Sequence, residues 1–137
     1  PLTAAERAEI VKTSGGQALL DRYDAQVKGG SAKADDTLAE LNTLADVLAG
    51  GKNTNVSTEQ ELVDDPNKKV PIKIDPDVLS TEELIERKNG NFKGVKKLNN
   101  KNGGKQYKNY CDFVRGVKKF YDDKGKVVTP PKKIVYE

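Results

Sequence analysis

Three glycine pairs limit what the first fifty residues can become: Gly15-Gly16, Gly29-Gly30 and Gly50-Gly51. Glycine costs roughly 1 kcal/mol against alanine inside a helix, yet is favoured just beyond a helix end. One long helix is therefore excluded, and the segments between the pairs read as short helices. Thr3 and Glu6 have capping-box spacing and open "TAAERAEIVK". "QALLDRYDAQV" is the second segment, and "SAKADDTLAELNTLADVLAGG" is the third. In the third, Leu38, Leu41, Leu44, Val47 and Leu48 recur at helical spacing, with acids in the first turn. Residues 1–51 are thus expected to form a small helical docking or delivery region.

Charge is unevenly divided along the chain. Residues 1–86 hold nine basic and seventeen acidic side chains, whereas residues 87–137 hold fifteen basic and four acidic ones. The second part, at net +11, is built to meet a polyanion. Hydrophobic residues make up 35% and charged residues 33%, which suits a small core and a large polar surface.

Residues 52–79 read as a linker ending in a short edge strand, since Val70, Ile72 and Ile74 alternate in "VPIKIDP". "STEELIERKNG" (80–90) repeats the capping-box spacing with Ser80 and Glu83 and is expected to be a helix stopped by Gly90. "NFKGVKKLN", "KQYKNYCDFVRG", the hairpin-like "VKKFYDDKGKVVT" and "KKIVYE" read as four strands. The expectation is an α+β fold: a helical region, then a helix followed by a four-stranded antiparallel sheet forming a basic domain over 80–137.

Several chemistries are excluded by composition. The chain has no His, so no Ser–His or Cys–His pair can form. Its single Cys, Cys111, can form no internal disulfide and cannot build a Cys-based zinc site. No apolar run approaches the roughly 18 residues of a membrane span, so no stable membrane insertion is expected. Nothing in the pattern points to a homo-oligomer. The chain opens at Pro1 and contains no Met, as expected of a fragment of a larger protein.

The leading chemical reading is metal-independent RNA cleavage, which needs no cofactor. Lys, Arg and Tyr can move protons and stabilise a phosphorane without His. Crowding by like charges lowers a lysine's pKa and makes it a better base. Arg115 and Lys118 are expected to stabilise the phosphate, with Lys97 or Lys105 transferring the proton. Tyr110 is expected to stack on a base. Lys96, Tyr107, Lys108, Lys119 and Tyr121 complete the expected RNA surface.

A second reading is metal-dependent. Pro76-Asp77 and Glu86-Arg87-Lys88 resemble the PD-(D/E)xK nuclease signature, with eight residues between Asp77 and Glu86. In that family two carboxylates hold Mg²⁺ and the lysine supports the attacking water. The second half of the signature belongs on a strand, whereas capping-box spacing puts Glu86 on a helix. A third reading is a non-catalytic module that binds RNA or protein.

The absence of Met, the helical opening "PLTAAERAEIVK" with its glycine breaks, and the basic module ending at Glu137 resemble the carboxyl-terminal toxin regions of CdiA-type contact-dependent inhibition effectors. The helix-then-sheet pattern resembles the barnase/EndoU/colicin/RelE group of RNases. This resemblance implies a secreted or cell-surface effector fragment delivered into the cytoplasm of a neighbouring bacterium. It also implies RNA, especially tRNA, as substrate and a cognate immunity protein as partner, for which an acidic surface would suit the +11 segment.

Overall fold

The computed structural model describes residues 1–87 and 101–137, with no side-chain description for 101–104. Its first three elements are the expected helices: α1 (Ala4–Lys12), α2 (Gly16–Lys28) and α3 (Ala34–Gly50). The capping box at Thr3 is complete: Glu6 N donates to Thr3 Oγ1 at 3.1 Å and Thr3 N to Glu6 Oε1 at 2.9 Å. The first glycine pair does more than stop a helix. Gly15 has φ +83°, and a Cβ there would lie 1.9 Å from the Thr58 carbonyl oxygen. Thr58 N donates to Ser14 O at 2.9 Å in the same corner, which seats the α1–α2 turn against the first strand.

The strands are β1 (Ser57–Thr58), β2 (Leu62–Val63), β3 (Lys73–Ile74), β4 (Val78–Leu79), β5 (Glu83–Glu86) and, at the end, β6 (Lys133–Tyr136). The helix α4 (Lys101–Val114) precedes β6. The main sheet runs β1-β4-β5-β6. β1, β4 and β5 pair antiparallel, while β5 and β6 pair parallel. β2 and β3 form a separate antiparallel ribbon. The class is α+β as expected, with a sheet that is partly parallel.

Two elements differ from their sequence pattern. "STEELIERKNG" is not a helix over its described part: Ser80–Glu83 is the turn of the β4–β5 hairpin, with Leu79 opposite Leu84. Glu83 N does donate to Ser80 Oγ, at 3.2 Å, but Ser80 N also donates to Glu83 O at 3.0 Å, closing a hairpin. The driving force is burial on two faces. Leu84 and Ile85 are 0% and 2% exposed, and successive residues of a strand point to opposite sides. A helix would have placed this adjacent pair on one side.

"KQYKNYCDFVRG" is helical rather than extended. Tyr110 and Phe113 are buried and Val114 packs beside them, at three- and four-residue spacing. The faces that a strand here would have, Lys105 with Tyr107 and Lys108 with Tyr110, therefore do not exist. The expected strand "NFKGVKKLN" lies outside the described residues. The "DDKG" hairpin is present: Tyr121 bridges Val127, and Asp122 Oδ1 accepts from the N–H groups of Lys124 and Lys126, both at 2.9 Å.

The alternation in β4 and β5 divides the core. Val78 and Ile85 join Ile10, Leu19, Leu41 and Leu44 beneath the first three helices. Leu79 and Leu84 join Tyr110, Phe113 and Phe120 on the α4 side. Helices thus cover both faces of the sheet, and the expected helical region 1–51 shares one core with the strands. Among the described residues no helix is long and apolar enough to cross a membrane.

Candidate active site

The β4–β5 hairpin has an acid at each open end, Asp77 just before β4 and Glu86 at the end of β5. Val78 pairs with Ile85, so the next position along the ladder sets Asp77 opposite Glu86. Arg87 N donates to Asp77 Oδ2 at 2.7 Å, which fixes that carboxylate at the end of β4. Glu86 is 7% exposed and accepts a 2.7 Å hydrogen bond from the Tyr110 hydroxyl. Burial, then the adjacent Glu86 charge, push the Tyr110 phenol far above its usual pKa, so it stays a donor. Tyr136 is raised by the same two influences.

A third acid comes from α3. Glu40 occupies the apolar stripe that carries Thr37, Leu41 and Leu44, so the helix that packs on the sheet delivers a carboxylate with it. Glu40 is 8% exposed. Burial foremost, then Asp77 and Glu59, push its pKa up to about 9. Arg22 opposes this, contacting Glu40 Oε2 at 3.1 Å, but divides its charge with Glu59, which it grips at 3.0 and 3.1 Å. Upward is the net direction, because burial, with Asp77 and Glu59 nearby, outweighs that guanidinium. Arg22 itself is raised: burial works against its charge, and Glu59, Glu40 and Asp77 outweigh it. Glu59 takes φ +58°, a left-handed backbone that costs a side-chain-bearing residue on the order of 1 kcal/mol.

Two clefts meet at these side chains. One, of about 340 Å³, is lined by Arg22, Glu40, Glu59, Asp75 and Asp77. The other, of about 400 Å³, has Arg22, Gln26, Lys33, Glu40, Asp77 and Arg87 in its walls. Arg87 Nε and Gln26 Oε1 are buried without a hydrogen-bond partner among the described residues.

Carboxylates are the hard oxygen donors that Mg²⁺ or Mn²⁺ takes. Among the described residues they are not gathered as a group of three around one point. Arg22 instead supplies the positive charge between Glu40 and Glu59. The donor set fits a divalent cation in kind, and Lys88, the last position of the signature, lies outside the described residues.

Among the described residues, those expected to cleave and bind RNA lie along α4 and the segment that follows it. Lys96 and Lys97 lie outside the described residues. Lys105, Tyr107 and Lys108 are exposed on α4, where Lys108 pairs with Asp112 at 3.0 Å and the Tyr107 ring lies edge-on to Tyr136 at 5.9 Å. Arg115 and Lys119 are exposed beyond that helix, and Lys118 and Tyr121 are half-buried there. Tyr110 is 0% exposed, so neither ring face is open to a base, and its expected stacking role is corrected to a core residue bonded to Glu86. Sequence reasoning missed Glu40, Arg22 and Glu59. For Glu40 a signal existed: an acid inside an apolar helical stripe, where charged residues are rarely buried without a purpose.

In comparisons with known proteins, no family model matches the chain, and no curated protein or solved structure matches it.

Proposed function

We propose that this chain is a metal-dependent nuclease of the PD-(D/E)xK type. The observation that carries the reading is the hairpin: Glu86 lies on a strand, antiparallel to β4 and level with Asp77. The helix that the capping-box spacing predicts for Glu86 does not form. The signature assigns the cation to Asp77 and Glu86; Asp77 lines the acidic clefts with Glu40, and Glu86 is bonded to Tyr110. A bound Mg²⁺ would stabilise charge on the phosphoryl group and make its water a stronger nucleophile. The Tyr110 hydroxyl orients Glu86, and the Arg87 N–H orients Asp77. Arg87, whose buried Nε has no hydrogen-bond partner among the described residues, stands in the wall of the cleft that Asp77 also lines. Lys88 is assigned the attacking water by the signature.

A polyanionic substrate suits the net charge of +11 over residues 87–137. The metal-independent RNase reading placed Lys105 and Tyr107 on a strand and Tyr110 against a base, and α4 removes both arrangements. The resemblance to CdiA-type toxin regions remains compatible with a nuclease. In that setting RNA such as tRNA is the first substrate to try, and an acidic immunity protein would cover the basic segment.

The test is cleavage of total RNA and of plasmid DNA in Mg²⁺ or Mn²⁺, against EDTA, by the wild type, Asp77→Asn and Glu86→Gln. The expected result is cleavage that EDTA abolishes and that each substitution lowers by at least about a hundredfold. Cleavage that persists in EDTA would overturn the reading.

A further inference from the structure

A third cleft, of about 520 Å³, runs between β3 and α4. Its volume falls within the roughly 300–1,000 Å³ typical of small-ligand sites. Asp75 lines both this cleft and the acidic one, so the two adjoin. Along the chain, Asp77 in one is three positions from Ile74 in the other, a reach of at most about 10 Å.

The walls differ in character. One is apolar: Val70, 87% exposed, with Pro71 and Ile72. The facing helix presents two amides, Gln106 and Asn109. Gln106 Oε1 accepts from the Tyr136 hydroxyl at 3.1 Å, which leaves its NH₂ to face elsewhere. The Asn109 side chain makes no hydrogen bond among the described residues. Lys73 and Lys105 stand at the walls, and Lys105 pairs with no acid among the described residues. Among the described residues Lys73 pairs with Glu61, exposed and 3.6 Å away.

An apolar face opposite two amides, flanked by cations, matches the chemistry of one nucleotide. A base needs an apolar face to lie against and amide groups along its edge, and its phosphates need cations. A base paired inside a duplex offers neither its faces nor its Watson–Crick edge. From this juxtaposition we infer that the β3–α4 cleft takes an unpaired nucleobase of the substrate strand, beside the carboxylates that cut it. The inference rests on the nuclease reading for its substrate, and it names the class: single-stranded nucleic acid, or a duplex opened at the site.

Two assays separate the inference from that reading. The first compares cleavage in Mg²⁺ of one labelled sequence as a single strand, as a perfect duplex, and as a duplex with an internal bubble, in RNA and DNA versions. Single strand and bubble are expected to be cut at least about tenfold faster than the perfect duplex. Equal rates overturn the inference and leave the nuclease reading intact. The second measures binding of the same oligonucleotides by fluorescence anisotropy in EDTA, where no cutting is needed. Asn109→Trp, which fills the cleft, and Lys105→Glu, at an exposed position, are each expected to weaken single-strand binding by about tenfold. Thermal melts check that both variants fold. Unchanged affinity in both, or equal wild-type affinity for single strand and duplex, overturns the inference whether or not the chain cuts anything.

Discussion

Replacing Glu40 by Gln should make the metal-free protein more stable, by an amount that grows with pH. Burial, Asp77 and Glu59 raise the folded carboxyl from 4.5 to about 9. A carboxyl raised in the folded state favours folding fully only below its unfolded pKa, and that contribution is lost as pH rises towards the folded value. At pH 7 the unfolded chain has released the proton and the folded chain has kept it. Two and a half units at 1.36 kcal/mol per unit give a ceiling of about 3 kcal/mol. Arg22, 3.1 Å away, favours the ionised form, so the expected gain in Glu40→Gln is on the order of 1–3 kcal/mol. For a chain of this length that is several degrees of Tm. The assay is a set of thermal melts in EDTA between about pH 5 and pH 8.5, for wild type and variant. The gap should be near zero at the acid end and widen steadily with pH. A gap that stays constant across the range refutes the argument that burial and neighbouring acids hold the proton on Glu40. Repeating the melts in Mg²⁺ tests the second half of the reasoning: wild type should gain Tm, and the variant clearly less. Equal gains would show that Glu40 is not a ligand.

Two further predictions follow from the same geometry. Tyr110→Phe keeps the ring in the core but removes one hydrogen bond from the buried Glu86, so stability should fall by about 1–3 kcal/mol and Mg²⁺ affinity by about 10–100-fold; a calorimetric Mg²⁺ titration that matches wild type would show that the hydroxyl does not orient the carboxylate. Gly15→Ala forces a Cβ to within 1.9 Å of the Thr58 carbonyl at φ +83°; denaturant melts should show a loss above about 2 kcal/mol, and a loss below about 0.5 kcal/mol would mean the α1–β1 corner is looser than drawn.

What could be read in advance depended on whether one local signal had one structural meaning. Glycine pairs and the Thr3–Glu6 box mean helix ends in almost any context, and α1, α2 and α3 form as their spacing says. "DDKG" means a turn, and it is one. Ser80 with Glu83 is ambiguous, because the same Glu83 N–H to Ser80 Oγ bond serves a helix start and a tight hairpin. Only the two-sided burial of Leu84 and Ile85, a tertiary fact, decides between them. In α4 the aromatic residues suggested a strand, while Tyr107, Tyr110 and Val114 already carried helical spacing. The Asp77–Glu86 pair was legible as a motif, but its meaning hung on that misread hairpin. Arg22 and Glu59 carried no signal, since they meet Glu40 only once the helices have packed.

The position of Glu40 bears on how this chain could be recombined. Two units joined at a linker can be exchanged if each brings its own function whole. Here a cut at residue 51 would part Glu40 from Asp77, and would strip the cover from Val78 and Ile85. Any graft that keeps the strands but takes its helices from another source must supply a carboxylate at that point of the third helix, or it inherits a hairpin without the acid that faces it.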